Sequence, residues 1–415
     1  MADAPACRAD QLKKIVRRVG ADHVGGMPHI PSSWRGTTRL ALLSIGLAMV
    51  GLSPACAEVS STVVYQSGTD GYHTFRIPAI LRAANGDLLA FAEGRKSSRS
   101  DAGDIDLLLK RSRDGGKTWG ALQVIWDDGD NTCGNPCPVL DEKTGNILLL
   151  STHNLGTDKE HAIIEGTSEA GRTVWLLQSK DQGASWSAPV NISATTKRPD
   201  WTWYATGPGV GIQIKNGPYA GRIVIPSDHN YNDAATGKSE RASHAIFSDD
   251  GGATWQLGGT IKPDMNECQV VELLDGSGTL LMDMRSYRGV AQRAQSRSTD
   301  GGETWSEAVN VPELVEPICQ ASILRWEDAG GQKPGWLIFS NPADPKKRRN
   351  LIVRASPDNG ATWPLALTLY PGGAAYSCLV TLSADEAGCF YELSDERPYE
   401  KLVFARFGAA DLTAR

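Results

Sequence analysis

Short stretches with the length and pattern of strands, such as Thr62–Gln66 (TVVYQ), His244–Phe247 (HAIF) and Lys401–Phe407 (KLVFARF), are punctuated by polar, glycine-bearing turns. The turns share one pattern, Ser-x-Asp-x-Gly-x-Thr/Ser-Trp, which begins at Ser112, Ser179, Ser248, Ser298 and Ser356. In HAIFSDDGGATW the strand runs to Phe247, the Asp-Gly-Gly core supplies the positive φ of a tight reversal, and Trp255 opens the returning strand. The Asp can accept hydrogen bonds from its own turn, the Ser or Thr hydroxyl holds the turn end, and the Trp packs between strands. The intervals between successive copies match the length of one four-stranded propeller blade with variable loops. The pattern predicts an all-β chain: a six-bladed β-propeller of four-stranded antiparallel sheets, with the strands at its two ends sharing the blade that closes the ring. Five equivalent Asp residues around a ring are structural, because one active site cannot use them all.

The segment Met1–Ala57 does not follow this pattern. Leu40–Leu52 is a largely apolar run, preceded by Arg35 and Arg39 and followed by Ala55-Cys56-Ala57, the small-x-small signature of a signal-peptidase site. The run falls short of a membrane-spanning helix, which needs about 20 apolar residues. The reading is therefore a secretory signal cut after Ala57, and no membrane-spanning segment is expected in the mature chain. Met27 is an alternative start, with Met1–Gly26 an upstream extension; an uncleaved anchor or a lipid on Cys56 is the competing reading. Residues 58–415 are then one catalytic or binding propeller, secreted or periplasmic. Met1–Ala57 holds seven of the 42 Lys/Arg and three of the 48 Asp/Glu, which leaves 35 against 45 and a formal charge of −10. That balance argues against a nucleic-acid or anionic-membrane surface, so an anionic ligand must be held by a local arginine cluster. Six cysteines remain beyond Ala57, and their state, disulfide or buried thiol, stays open.

The remaining distinctive segments occur in this order: Tyr72-His73-Thr74-Phe75-Arg76-Ile77-Pro78; Glu93-Gly94-Arg95 with Asp101-Ala102-Gly103-Asp104-Ile105-Asp106; Asn266-Glu267-Cys268-Gln269 with Met284-Arg285; Arg348-Arg349-Asn350-Leu351; and Tyr376-Ser377 with Tyr391-Glu392. Together with the Asp boxes, from about Val63 to Phe407, they resemble the exported bacterial exo-α-sialidase (neuraminidase) family. The resemblance implies hydrolysis of terminal α-linked sialic acids on glycoproteins, glycolipids or oligosaccharides, with retention of configuration and without metal or cofactor.

By that resemblance Arg76, Arg285 and Arg349 bind the carboxylate that sialic acid carries on its anomeric carbon. Guanidinium forks suit that task, through bidentate, charge-assisted hydrogen bonds. Arg348 competes with Arg349, since only one of the two can face the pocket. Tyr376 is the implied nucleophile and Glu267 the base that takes its proton; a neutral phenol avoids bringing a second negative charge against the substrate's own carboxylate. Asp101 is the implied general acid, Arg95 (or Arg99) a fourth substrate-side arginine, and Glu392 the partner that orients Arg76. Asp104 and Asp106 are read as supports of the blade, and Trp201, Trp203 and Tyr204 as pocket wall or packing. The histidines show no metal-ligand spacing. Two alternatives remain: transfer or an intramolecular reaction on the same substrate, and a non-catalytic Asp-box propeller that binds glycans. A binding propeller would be expected to have a broken set of Arg, Tyr, Glu and Asp.

Overall fold

The computed structural model describes residues 59–233 and 235–414; the expected signal segment lies outside them. Nearly all regular structure is β. Inner strands that begin as apolar runs are buried on both faces along their whole length, as in Leu88–Arg95 and Gly335–Pro342, where every residue is buried. Outer strands such as Val309–Val315 are exposed or half-buried except at single positions such as Leu314.

The strands pair in antiparallel sets of four. One set is Thr74–Arg82, Leu88–Arg95, Ile105–Ser112 and Gln123–Trp126, and the next runs from Thr132–Leu140 through Ile147–Asn154 and Thr173–Ser179 to Val190–Asn191. A single parallel bridge, Ile105 to Thr132, joins these two sets into one sheet. Trp201–Thr206, Ile223–Asn232, Ser239–Ser248 and Gln256–Ile261 form a third set, and Met265–Glu272 to Val309–Val315 a fourth. The 17-residue strand Leu365–Thr381 serves two sets: it pairs with Arg349–Ser356 through its first half and with Glu386–Ser394 through its second. Beyond Glu386–Ser394 lies Lys401–Gly408, which pairs with Ser60–Gln66 from the other end of the chain.

Each Asp box is a closed hydrogen-bonded turn. Asp114 Oδ1 accepts from the backbone N–H groups of Lys117 and Thr118 at 3.0 and 2.9 Å, its Oδ2 accepts from the Thr118 hydroxyl at 2.6 Å, and Ser112 Oγ accepts from Gly116 N–H at 2.8 Å. The glycine is needed for more than its φ of 87°. Gly116 rests on the ring of Phe404, leaving no room for a Cβ, and Trp119 meets the same ring edge-on at 5.6 Å. The box therefore tethers one sheet to its neighbour, over an apolar core in which Tyr65, Phe75, Ile80, Leu108 and Phe390 are buried. Burying each such side chain contributes roughly 1.5–3 kcal/mol. All six described cysteines are buried free thiols, including Cys133 and Cys137.

Candidate active site

The first strand of five of the sets carries a register slip at one level. The pairing shifts between Arg76 and Ala79, Gly134 and Cys137, Trp201 and Tyr204, Met265 and Cys268, and Ala374 and Ser377. A bulge turns a side chain out of strict alternation. Here the bulges present Arg76, Asn135, Trp203, Glu267 and Tyr376 to one polar cavity of about 330 Å³. Two bulge residues, Ile77 and Asn135, adopt φ of 57° and 53°, conformations that non-glycine residues adopt only where the surroundings enforce them. None of the five box aspartates lines this cavity.

Three arginines converge around Tyr376. Arg76 is 5% exposed, and its guanidinium lies 4.9 Å from the Tyr376 ring centre. Fully buried Glu392 holds it: Oε1 accepts from Arg76 Nε at 2.9 Å and from Ile77 N–H at 3.1 Å, while Oε2 accepts from Arg76 Nη2 at 3.3 Å and from Tyr376 N–H at 3.2 Å. One carboxylate thus fixes both the arginine and the tyrosine. Arg285 Nη1 donates to Glu267 Oε2 at 2.7 Å and to the Tyr376 hydroxyl at 3.3 Å, and its Nη2 donates to Tyr287 at 2.6 Å. The Tyr376 hydroxyl donates to the other oxygen of Glu267 in a very short hydrogen bond.

Arg349, expected as the third arginine, is placed elsewhere. Its side chain is 56% exposed and its Nε donates to Asp344 at 2.6 Å. Arg348 occupies the cavity instead, 5.5 Å from the Tyr376 ring centre, with Nη1 donating to the Tyr399 hydroxyl at 3.2 Å and Nη2 to the Ile318 carbonyl at 3.3 Å. The cause is local. Asn350 adopts φ of 61° and the register slips on both sides of Leu351, so simple alternation does not carry through the strand start.

Asp101 stands on the other side of Arg76, bridging Arg76 Nη1 at 3.3 Å and Arg95 Nη2 at 2.7 Å. Burial would raise its carboxyl pKa, but the two guanidiniums outweigh burial and hold it below the usual range. Arg95 is buried against Glu93 and also donates to the Arg99 carbonyl, so Arg95 lines the cavity and Arg99 does not. Asp104 and Asp106 lie outside it, tied to Lys96, with Asp106 also accepting from the Tyr72 hydroxyl at 2.6 Å. Of the aromatic trio only Trp203 faces in; Trp201 stacks on His229 and Tyr204 packs on His244.

Several lining residues carry no local sequence signal. Arg172 is buried beneath Trp203, 4.1 Å from its ring centre, and donates to Thr152 and Asn154. Glu160 comes from a six-residue helix, and burial pushes its carboxyl up. Asp228 is fully buried with one oxygen on Asn266 at 2.7 Å; burial, reinforced by Glu267, pushes its carboxyl well up. Burial and Glu267 likewise push the Tyr376 hydroxyl well up, against the pull of Arg285, Arg348 and Arg76.

Residues 86–391 match the BNR repeat-like domain family. The chain is 33% identical over 355 residues to a sialidase of Micromonospora viridifaciens, an alignment covering 83% of this chain and 53% of that protein, so it spans about half the length of that relative. It is 31% identical over 309 residues to an exo-alpha-sialidase of Aspergillus fumigatus, covering 70% of each. The solved structure of a Hadza microbial sialidase superimposes with a TM-score of 0.73 at 29% identity, covering 85% of this chain and 69% of that one.

Proposed function

The chain belongs to the sialidase family, and from that premise we propose that it is a retaining exo-α-sialidase that removes terminal α-linked sialic acids from glycans. The observation that carries the reading is the Tyr376–Glu267 hydrogen bond beneath Arg76, Arg285 and Arg348. Three cations collected around a neutral phenol suit a substrate with a carboxylate on the reacting carbon itself. The substrate carboxylate lies against the three guanidiniums. Asp101 gives its proton to the departing glycosidic oxygen while the Tyr376 oxygen attacks the anomeric carbon and passes its proton to Glu267. Water then attacks the sialosyl-tyrosine from the side of Asp101, which takes the water's proton, and Glu267 returns the first proton to the tyrosine oxygen.

The geometry supplies a reason for this sequence of events. In the free protein Arg76 and Arg95 hold Asp101 ionised. A substrate carboxylate on Arg76 offsets that cation, so binding raises the Asp101 pKa toward the range where it can donate a proton. The four-stranded sets, and the pairing of Ser60–Gln66 with Lys401–Gly408, support a six-bladed propeller closed by its two chain ends. The apolar run before Ala57 supports export, with cleavage after that residue.

The test is covalent capture. A 3-fluorosialosyl fluoride should label Tyr376, located by peptide mass spectrometry, and proton NMR should show the α-anomer of sialic acid released first. A label on Glu267 or Asp101, or early β-anomer, would overturn the mechanism; no turnover of a 4-methylumbelliferyl sialoside between pH 4 and 8 would overturn the activity.

A further inference from the structure

Beside the cavity lies a second cleft of about 280 Å³, lined by Ser67, His73, Thr74, Arg99, Arg397 and Tyr399. Tyr399 is the shared wall: it also lines the arginine cavity, with its ring 4.1 Å from the Arg76 guanidinium and its hydroxyl accepting from Arg348. The wall is fixed in place. Tyr399 adopts φ of 57°, its N–H donates to Ser394 Oγ at 2.9 Å, and its carbonyl accepts from the Ser67 hydroxyl at 2.8 Å.

The charge of the cleft is one-sided. No lining side chain is a carboxylate, and among the described residues neither Arg99 nor Arg397 forms an ion pair with one. Arg397 donates only to the Ser67 carbonyl, at 2.8 Å, and Arg99 contributes only its own carbonyl, to Arg95. In a chain with an excess of acidic residues, two unpaired guanidiniums in one cleft form a local positive site that attracts anions.

Its position says which part of a substrate would reach it. Arg99 is two residues from Asp101, a separation of at most about 7 Å along the chain, which is the reach of one sugar ring. On the reading given above, Asp101 protonates the departing oxygen, so the group attached to that oxygen leaves on the Asp101 side. We infer that this cleft is a leaving-group subsite for an acidic sugar: the residue next to the cleaved sialic acid is preferred when it carries a carboxylate or a sulfate. The inference rests on the proposed activity and adds a substrate class to it.

Specificity constants decide the matter. Hydrolysis of sialyllactose (neutral leaving group) is compared with that of an α2,8-linked disialoside (carboxylate) and a sialyl-6-sulfo-lactoside (sulfate), with the 4-methylumbelliferyl sialoside as control. The protein should favour at least one acidic leaving group by about threefold to tenfold in kcat/KM, the range expected of exposed charge contacts. The preference should shrink in 0.3 M salt. Arg99→Ser and Arg397→Ser should each remove part of it, and together all of it, with the sialyllactose and fluorogenic rates unchanged; the carbonyl that Arg95 uses is retained in Arg99→Ser. Which acidic substrate is favoured identifies the source of the anion. Equal kcat/KM for acidic and neutral leaving groups, or a preference that survives both substitutions, overturns the subsite while leaving the sialidase reading intact. Loss of the fluorogenic activity in the unmutated protein overturns both.

Discussion

Two arginine clusters sit within one sheet and its surroundings, and they are balanced differently. Arg293, fully buried on strand Gln292–Ser298, donates to Asp283 Oδ1, Glu316 Oε2 and the Cys319 carbonyl, each at 2.7 Å. Its two carboxylates are occupied in turn by Gln295 Nε2 and Ser286 N–H. One cation meets two anions and the network is closed. One strand away, Arg285 belongs to the cavity, where Arg76 and Arg285 share their carboxylates with Tyr376, Ile77 and Arg95, and Arg348 has only a hydroxyl and a carbonyl. Arg348 is half-buried and meets no carboxylate among the described residues, which supports the proposal that an anion from outside completes this cavity. Counting arginines does not separate a structural network from the cavity, and Arg76 meets two carboxylates as Arg293 does; what differs is Arg348, which meets none among the described residues.

The largest effect that would sharpen this contrast is chemical. Tyr376→Phe should lower kcat/KM by about 10⁴-fold or more, while the thermal midpoint moves little, because the lost hydroxyl reports to Glu267 and Arg285 alone. Second in size is the structural cluster. Arg293→Met leaves Asp283 and Glu316 buried without a cation and should cost about 3–5 kcal/mol of stability in urea titration; a stable, active variant would break the comparison. Third, Arg348→Ala should weaken binding of a sialic acid analogue by about 1.5–3 kcal/mol with stability unchanged or improved. Arg349→Ala, which touches only Asp344 at the surface, should change affinity by less than about 0.5 kcal/mol. An Arg349 effect exceeding that of Arg348 would reverse the assignment.

The smallest effect comes from a third kind of acid, the exposed box aspartate. The Ser185 hydroxyl, aided by backbone N–H groups, holds Asp181 down to about 2. A carboxyl whose folded pKa is lowered stabilises the fold above its unfolded pKa, about 3.9, and that contribution is lost as pH falls toward the folded value. The urea midpoint of the unmutated protein should therefore exceed that of Asp181→Asn at pH 6, and the gap should narrow steadily between pH 5 and pH 2.5. A gap that widens on acidification would show that this turn does not depend on the ionised carboxylate.

What was legible in the sequence was what is local. Each box closes its hydrogen bonds within its own octapeptide, so Ser248 to Trp255 specify their own turn and the spacing of copies specifies the sheets. Arg76, Glu267, Tyr376 and Glu392 were found because motifs surround them. Arg348 was displaced by its neighbour because the decision rests on the positive φ of Asn350, which two adjacent arginines do not announce. Arg172, Glu160, Asp228 and Tyr399 were missed for another reason: they reach the cavity from strands, a short helix and a loop whose sequences resemble any other, and only the superposition of bulges from separate strands makes them neighbours. No local signal could have found them.

The hydrogen bond between Arg76 and Glu392 spans 316 residues of chain. At a synthesis rate of about 5–20 residues per second, the arginine waits roughly 15–60 s for its partner. Throughout that interval Tyr376 has not been made or lacks the carboxylate that fixes its backbone, and Ser60–Gln66 has no strand to pair with. The arrangement of Arg76 and Tyr376 therefore arrives late, with the last strands, and as a single event, because one carboxylate holds both. By the same wiring, removal of residues 386–408 would leave both Ser60–Gln66 and the Arg76 guanidinium without the partners that hold them.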